Sequence, residues 1–201
     1  MPAAWALLLL VGFAGTTGRR QGQDLGRSDA SVISVSNGGP WGDWAWPEMC
    51  PKGSYASGVS FKVEPPQGVM EEDTALNGVR LHCSRGGNAD SSYTAESQSG
   101  RWGSWTEVLW CPHQGHLVGF ALQVQVPQHG FLHDEVAATN ARFACSDGQV
   151  LQGPGAVWGQ WGGWSHQCPK AVCGIQTRQE PAWGLKRDDT ALNDLRLFCC
   201  Q

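Results

Sequence analysis

One segment of the chain occurs three times, and this internal repetition limits what the sequence can fold into. Residues 71–83 read EEDTALNGVRLHC, residues 188–199 read DDTALNDLRLFC, and residues 134–145 give a weaker copy, DEVAATNARFAC. Each copy is an acidic turn that leads into a short segment with an arginine and a terminal cysteine. A chain with three copies of one segment predicts three similar structural units.

Three further features recur around each copy in the same order. The spacing of these features is about sixty residues, which is long enough for a small sheet in each repeat rather than a thin solenoid turn. We therefore expect four strands per repeat, with repeats at about residues 31–84, 92–146 and 148–201. The features are a W-G-x-W segment (41–44, 102–105, 161–164), a Cys-Pro pair (50–51, 111–112, 168–169) and an alternating segment (58–63, 119–126, 174–177).

The composition favours short strands joined by tight turns. The 201 residues include 27 glycines and 11 prolines, which are depleted in helices and favoured at turns. Apolar residues make up 41% of the chain, enough for the core of one domain at residues 31–201. The net charge of -4 leaves no basic field for phosphate backbones, so we expect no nucleic-acid partner.

The first residues predict a secretory signal peptide. Residues 5–14 are mainly apolar, the run is too short to span a bilayer, and small residues follow it through Gly18. We expect a signal peptide at residues 1–18, with cleavage as late as residue 24. The mature chain is then expected to be secreted and extracellular, without a membrane span.

Eight cysteines in a secreted chain predict four disulfides. In each repeat, the cysteine of the Cys-Pro pair is the natural partner of the cysteine that ends the repeated segment. This pairing predicts the bonds Cys50 with Cys83, Cys111 with Cys145, and Cys168 with Cys199.

The two remaining cysteines are Cys173 and Cys200. Aligned by repeat, they fall where the first repeat has Ser57 and Ser84. Two serines replaced together by two cysteines predict a fourth bond, Cys173 with Cys200. Eight cysteines allow about a hundred pairings, and a strained bond between Cys199 and Cys200 is the alternative.

Three sheets with one apolar face each need a common core. Packing around a three-fold axis buries all three apolar faces, which predicts a prism of sheets. We expect the tryptophans to supply much of this core, because each large ring buries about 150–250 Å². The alternative is that the rings are exposed platforms on which sugars stack. The tryptophans concerned are Trp41, Trp44, Trp102, Trp105, Trp161 and Trp164.

The W-G-x-W segments, the Cys-Pro pairs and the D-T-A-L-N turns followed by R-L-x-C resemble the vitelline membrane outer layer protein I family. The resemblance covers about residues 32–200. It implies a secreted, disulfide-bonded β-prism of three Greek-key four-stranded sheets with internal pseudo-three-fold symmetry. It also implies a shape related to prism-type lectins and a bacterial toxin domain, and a link to the transfer of N-acetylglucosamine oligosaccharide units. The second repeat departs from the pattern in its acidic turn.

The acidic turns supply candidate catalytic groups. Glycosyl transfer or hydrolysis needs one protonated and one ionised carboxylate, about 5–10 Å apart. We favour the alternative that these side chains brace their turns or are solvated. None of the turns has the spacing of a calcium loop, and we expect no metal and no cofactor. The candidates are Glu72, Asp73, Asp134, Glu135, Asp188 and Asp189.

An arginine stands at the same position of each repeated segment, as Arg80, Arg142 and Arg196. Period-two alternation directs these side chains away from the core. One interpretation is that they pair with the acidic residues, in surface ion pairs worth about 0–1 kcal/mol each. The other is that they bind an anionic sugar.

The sequence favours a structural or interaction protein of extracellular coats or fluids, which engages glycans or basic extracellular proteins. The second hypothesis is an enzyme, a transferase or hydrolase that acts on N-acetylglucosamine oligosaccharides through the acidic turns. We favour the first, because acidic side chains in such turns more often brace the backbone or are solvated than act in catalysis. Nucleophilic hydrolysis has little support, since the chain has no G-x-S-x-G segment and its cysteines are assigned to disulfides. Lectin-like sugar binding without turnover is a third hypothesis.

Overall fold

A computed structural model describes residues 30–64, 76–86, 93–125, 137–179 and 192–201 of the chain. The regular elements within these ranges are β-strands. None of the described segments forms a helix with the length and apolarity that crossing a bilayer requires. In chain order the strands are β1 (Ser31–Ile33), β2 (Asp43–Trp44), β3 (Glu48–Met49), β4 (Tyr55–Val63), β5 (Leu76–Ser84), β6 (Tyr93–Ala95), β7 (Ser104–Trp105), β8 (Leu109–Trp110), β9 (Leu117–Val124), β10 (Ala138–Cys145), β11 (Val150–Gln152), β12 (Gln160–Trp161), β13 (Ala171–Gln179) and β14 (Leu192–Cys200).

The strands form three antiparallel sheets, each built around one long hairpin. The first sheet has the order β6-β5-β4-β7, and β8 also pairs with β4. The second sheet has the order β11-β10-β9-β12. The third sheet has the order β1-β14-β13-β2, and β3 also pairs with β13. This arrangement confirms the predicted all-β prism of three sheets.

The inner faces of the three hairpins share one core. Val59 and Phe61 of β4 lie opposite Leu81 and Val79 of β5, and all four side chains are buried. The ring of Phe143, from β10 of the second sheet, lies 5.9 Å from the ring of Phe61. Aromatic pairs at such distances add about 0.5–1.5 kcal/mol to the free energy gained by burial. Each sheet thus buries its apolar face against the other sheets.

Each sheet combines strands from two of the predicted repeats. The hairpin β4–β5 belongs to the first repeat, but its flanking strands β6, β7 and β8 belong to the second. In the same way, β11 and β12 flank the hairpin of the second repeat, and β1, β2 and β3 flank that of the third. The expectation of one sheet per repeat is therefore wrong. The physical reason is that a chain leaving a hairpin pairs first with the strand it has just left, as β6 does with β5.

The third sheet closes the chain on itself. Its hairpin, β13–β14, is the last in the sequence, so the strands that flank it come from the N-terminal part of the described chain. Ser31 lies opposite Cys199 and Ile33 opposite Leu197 in the register of β1 with β14. The two ends of the domain are therefore held together by a strand pair.

Four disulfides join the cysteines in the pairs that the repeats predict. Three of the bonds each connect two sheets. For example, Cys50 donates its N–H to the carbonyl of Cys173 in the third sheet, while its sulfur bonds to Cys83 in the first. The corresponding bonds connect the first sheet to the second and the second to the third. The pairs are Cys50–Cys83, Cys111–Cys145, Cys168–Cys199 and Cys173–Cys200.

The fourth bond has a counterpart without cysteine. Cys173 and Cys200 link the two strands of the third hairpin. At the same place in the first sheet, the hydroxyls of Ser57 and Ser84 are hydrogen-bonded at 2.7 Å. A bond between two serine hydroxyls therefore occupies the position of the disulfide in a neighbouring sheet.

Replacing Cys173 and Cys200 together by serine is expected to lower the melting temperature only slightly. The adjacent Cys168–Cys199 bond already closes nearly the same loop, so the fourth bond removes little further entropy from the unfolded chain. The two introduced hydroxyls can also form the hydrogen bond seen in the first sheet. Calorimetry under non-reducing conditions measures the change.

The matched comparison is the double variant Cys111→Ala with Cys145→Ala. This bond connects two sheets across a sequence separation of 34 residues and has no parallel bond beside it. Its loss is expected to cost roughly 3–4 kcal/mol of unfolding free energy. Similar losses in the two double variants would contradict this account of the disulfides.

Candidate functional site

The acidic residues proposed as catalytic groups lie outside the described residues. They belong to the segments between the strands of each hairpin, so the hypothesis of paired catalytic carboxylates stays a prediction. Within the described ranges, no three His, Cys, Asp or Glu side chains come together as metal ligands. The six residues are Glu72, Asp73, Asp134, Glu135, Asp188 and Asp189.

The tryptophans lie on the outside of the prism and not in its core. The exposed fraction of the side chain is 46% for Trp41 and 42% for Trp102, and the described core cluster contains no tryptophan. The expectation that these rings fill the core is therefore wrong. The hairpins already fill the interior with phenylalanine and aliphatic side chains, and the tryptophan-bearing strands are short flanking strands. The rings that are partly buried are Trp44, Trp105 and Trp161.

The third W-G-x-W segment starts earlier than the repeat predicts. Residues 158–164 read WGQWGGW and contain two overlapping copies of the pattern. Strand β12 places Trp161, not Trp164, in the register of the other flanking-strand tryptophans. Gly159 also has a φ of 102°, in the left-handed region like Gly103 at 84°. Trp164 is therefore an additional ring, with no counterpart at this register in the other two sheets.

A side chain of the repeated segment anchors the first tryptophan of the W-G-x-W pattern in two of the sheets. In the third sheet, Asn193 Nδ2 donates to the carbonyl of Trp41 at 3.2 Å. In the second sheet, Thr139 Oγ1 donates to the carbonyl of Trp158 at 2.9 Å. Sequence reasoning missed this role, although the asparagine recurs in the D-T-A-L-N segments. The repeated segment thus begins a strand and also holds the backbone of a tryptophan in place.

The recurring arginines stack on the flanking-strand tryptophans. The guanidinium carbon of Arg80 lies 3.8 Å from the centre of the Trp105 ring in the first sheet. Arg196 lies 4.5 Å from the Trp44 ring in the third sheet. A guanidinium over an indole face is attracted by the ring quadrupole, by about 0.5–1 kcal/mol at exposed sites. The position of these arginines agrees with the alternation in the sequence, which directs them outward.

The second sheet repeats the contact with two rings. The guanidinium carbon of Arg142 lies 4.5 Å from the centre of the Trp161 ring and 4.7 Å from that of Trp164. All three sheets therefore present an arginine and an indole together on the outer face. We call these three groups of residues the Arg–Trp faces.

The three arginines differ in their polar partners. Arg80 donates through Nε and Nη2 to Glu96 Oε2, at 2.9 and 2.7 Å. Arg196 Nε donates to Gln176 Oε1 at 2.7 Å. The Nε of Arg142 is buried and has no hydrogen-bond acceptor. The described ion pair of Arg80 is therefore with Glu96, which was not among the predicted acidic partners.

The carboxyl group of Asp194, near the third Arg–Trp face, has a raised pKa. Burial raises the pKa of Asp194 to about 6, although the Leu195 N–H and the charges of Arg178 and Arg196 favour its ionised form. Its Oδ1 accepts a hydrogen bond from Leu195 N at 2.8 Å. Because the pKa of Asp194 is raised in the folded state, the folded protein keeps this proton between about pH 4 and 6, where the unfolded chain has released it.

We expect Asp194→Asn to stabilise the protein at pH 7.5 and to leave its stability at pH 3.5 nearly unchanged. The stability that the protonated carboxyl contributes is lost as the pH rises from the ordinary value of 3.8 through about 6, and asparagine does not titrate. The amide oxygen can still accept the Leu195 N–H. Urea unfolding of both proteins at several pH values measures the effect. A constant stability difference between pH 3.5 and 7.5 would argue against it.

Known proteins of similar sequence identify the family of the chain. The family model described as Vitelline membrane outer layer protein I matches residues 31–201. The Vitelline membrane outer layer protein 1 homolog of Mus musculus is 58% identical over 171 residues, which are 85% of this chain and 84% of the relative. The homolog of Homo sapiens is 56% identical over 196 residues, 97% of this chain and 96% of the relative.

Solved structures of similar fold are lectins. Frutapin, a lectin from Artocarpus incisa, has a TM-score of 0.54 at 12% identity and covers 86% of this chain and 99% of its own. The artocarpin–mannotriose complex has a TM-score of 0.55 at 10% identity, with the same coverage. At such low identity these similarities show the β-prism fold alone. By its sequence, the chain belongs to the vitelline membrane outer layer protein I family.

Proposed function

We propose that the protein is a secreted structural component of extracellular coats or fluids, and that it binds glycans through its outer tryptophans. The observation that carries this proposal is the Arg–Trp face of each sheet. Each face combines an indole ring with a guanidinium group. Indole rings stack on the apolar side of a pyranose ring, and guanidinium groups donate hydrogen bonds to its oxygens.

In each sheet, an exposed tryptophan lies three residues before the flanking-strand tryptophan of the Arg–Trp face. Trp41, Trp102 and Trp158 are the first tryptophans of the three W-G-x-W segments, and their exposed fractions are 46%, 42% and 40%. Tryptophan is enriched at binding interfaces, because its large ring supplies contact area and its N–H a hydrogen-bond donor. Their repetition at equivalent positions supports several sugar contacts on one molecule, which raises the apparent affinity for a polymer.

The scaffold supports binding without large rearrangement. The tryptophans lie on, or two residues before, short strands that pair with the long hairpins, and disulfides connect the three sheets. A preformed site loses little conformational entropy when the ligand binds. The structural neighbours include artocarpin, solved with mannotriose, and the Calsepa lectin, solved with a bisected glycan at a TM-score of 0.51. This analogy of fold supports the glycan class only.

The four disulfides support the extracellular part of the proposal, because such bonds persist in oxidising compartments. The predicted signal peptide at residues 1–18 lies outside the described residues. Binding of basic extracellular proteins is the alternative to glycan binding, and the net charge of -4 is compatible with it. The observation that favours glycans is the arginine stacked on an indole ring in each sheet, since arginine repels a basic partner.

The proposal predicts saturable binding of an oligosaccharide that remains unchanged. Purified protein is titrated with mannotriose and with a chito-oligosaccharide, and binding is followed by calorimetry and by indole fluorescence. The combined variant Trp41→Ala, Trp102→Ala and Trp158→Ala is expected to bind at least about tenfold more weakly, because stacked rings are lost.

Trp46→Ala is the matched control. Among the tryptophans that the structure describes, Trp46 has the most exposed side chain, at 55%, and it lies outside the W-G-x-W segments. The control is expected to bind as the unmodified protein does. Absence of binding to every oligosaccharide would refute the proposal. Longer or shorter products in the mass spectrum would instead support the enzymatic hypothesis.

A further inference from the structure

The Arg–Trp face of the second sheet differs from the other two in its aromatic groups. Arg142 contacts two indole rings, Trp161 and Trp164, at 4.5 and 4.7 Å from the ring centres. Trp164 is the additional ring of the WGQWGGW segment, and 44% of its side chain is exposed. The face therefore has one ring beyond the flanking-strand tryptophan that all three faces share.

The charge on this face is not balanced by a described carboxylate. In the register of β10 with β11, Arg142 lies opposite Gln152. In the first sheet, the register that places Leu81 opposite Ala95 brings Glu96 beside Arg80, with which it forms an ion pair. Side chains directly opposite each other in an antiparallel pair lie on the same face. A neutral amide thus occupies the place of the acid, and no described acidic side chain pairs with Arg142.

An arginine that contacts two rings and has no counter-ion among the described residues has the chemistry of an anion site. Its planar fork matches the two oxygens of a carboxylate or of a sulfate ester. Two rings contact the guanidinium, and its buried Nε has no hydrogen-bond acceptor among the described residues. An exposed indole beside the anion provides a surface for the apolar side of a sugar ring.

We propose that the Arg–Trp face of the second sheet binds an anionic sugar residue, with Arg142 contacting its carboxylate or sulfate group and Trp164 stacking on its ring. This inference rests on the proposed function, because it names the class of glycan for one face. In the first sheet, Glu96 already occupies the guanidinium. In the third sheet, Gln176 accepts from Arg196 Nε, so the second sheet is the preferred place for the anion.

The test compares charged and neutral sugars that are otherwise the same. The probes are a sulfated N-acetylglucosamine disaccharide and a sialic-acid-terminated trisaccharide, each paired with its neutral parent, and inorganic sulfate alone. Calorimetry at low salt is expected to give at least about tenfold tighter binding for one charged probe than for its parent, since charge-assisted hydrogen bonds are the stronger ones. Which charged probe binds distinguishes sulfate from carboxylate. Inorganic sulfate is expected to bind more weakly than the sulfated sugar, because it cannot stack on the ring.

The variants test the residues. Arg142→Gln is expected to remove the preference for the charged probe, and Trp164→Ala to weaken binding of both members of the pair. Gln152→Glu is the sharper variant, because it places an acid where the first sheet has Glu96. It is expected to pair with Arg142 and to abolish the charge preference without removing any ligand contact.

Val150→Glu is the matched control for the added charge. Val150 stands on the same strand, is 48% exposed, and lies opposite Ala144 rather than the arginine. It is expected to retain most of the preference for the charged probe, and melting temperatures establish that each variant is folded. Equal losses in Val150→Glu and Gln152→Glu would show that net charge, not this face, governs binding, and would overturn the inference.

The remaining outcomes separate this inference from the proposed function. If charged and neutral probes bind equally well, or if Arg142→Gln keeps the preference, the anion site is refuted while glycan binding stands. If none of the sugars binds, both are refuted. Binding of inorganic sulfate as tight as that of the sulfated sugar would refute the sugar-stacking role of Trp164.

Discussion

Mutual burial of the three hairpins is the interaction on which the rest of the structure depends. A single hairpin with one apolar face is at best marginally stable in water. Here the ring of Phe143 in the second sheet contacts Phe61 of the first sheet and Phe120 of its own, and leucine and isoleucine side chains of the third sheet complete the same cluster. The sheets therefore form as a set. The strand pair of β1 with β14 and the disulfides between sheets then hold the set closed.

This closed core determines what the outer faces can carry. Because the long strands supply the interior, the short flanking strands are free to present large side chains outward. The recurring arginine of each hairpin also lies on the outer face, and the indole of a flanking strand covers it. Asn193 and Thr139 of the repeated segment donate hydrogen bonds to the backbone carbonyls of Trp41 and Trp158, respectively. The repeated sequence features thus converge on one arrangement.

The sequence predicted those features that depend on period-two alternation or on pairing within a repeat. The apolar face of Val79 and Leu81, the outward arginines and the four cysteine pairs are of this kind. The sequence could not predict which repeat supplies the flanking strands. A fixed spacing between motifs does not show where along the chain one sheet ends and the next begins. Nor could the sequence place the tryptophans, since a strand of two residues is too short to show which face a side chain occupies. In WGQWGGW, the register of β12 and the left-handed backbone of Gly159 decide between the two overlapping copies, and neither is visible in the sequence.

The same fold can therefore contain three faces of different chemistry. The core must accommodate all three hairpins at once, so changes there disturb every sheet. The outer faces are independent of one another, and one residue opposite each arginine is enough to change its availability. Glu96 forms an ion pair with Arg80, while Arg142, which lies opposite Gln152 and contacts two rings, has no acidic partner in the part of the chain that the structure describes. Because a guanidinium bound by a carboxylate has little remaining capacity for a second anion, the second face is the one at which a charged ligand gains most. Approximate three-fold symmetry of the backbone thus does not require three equivalent binding sites.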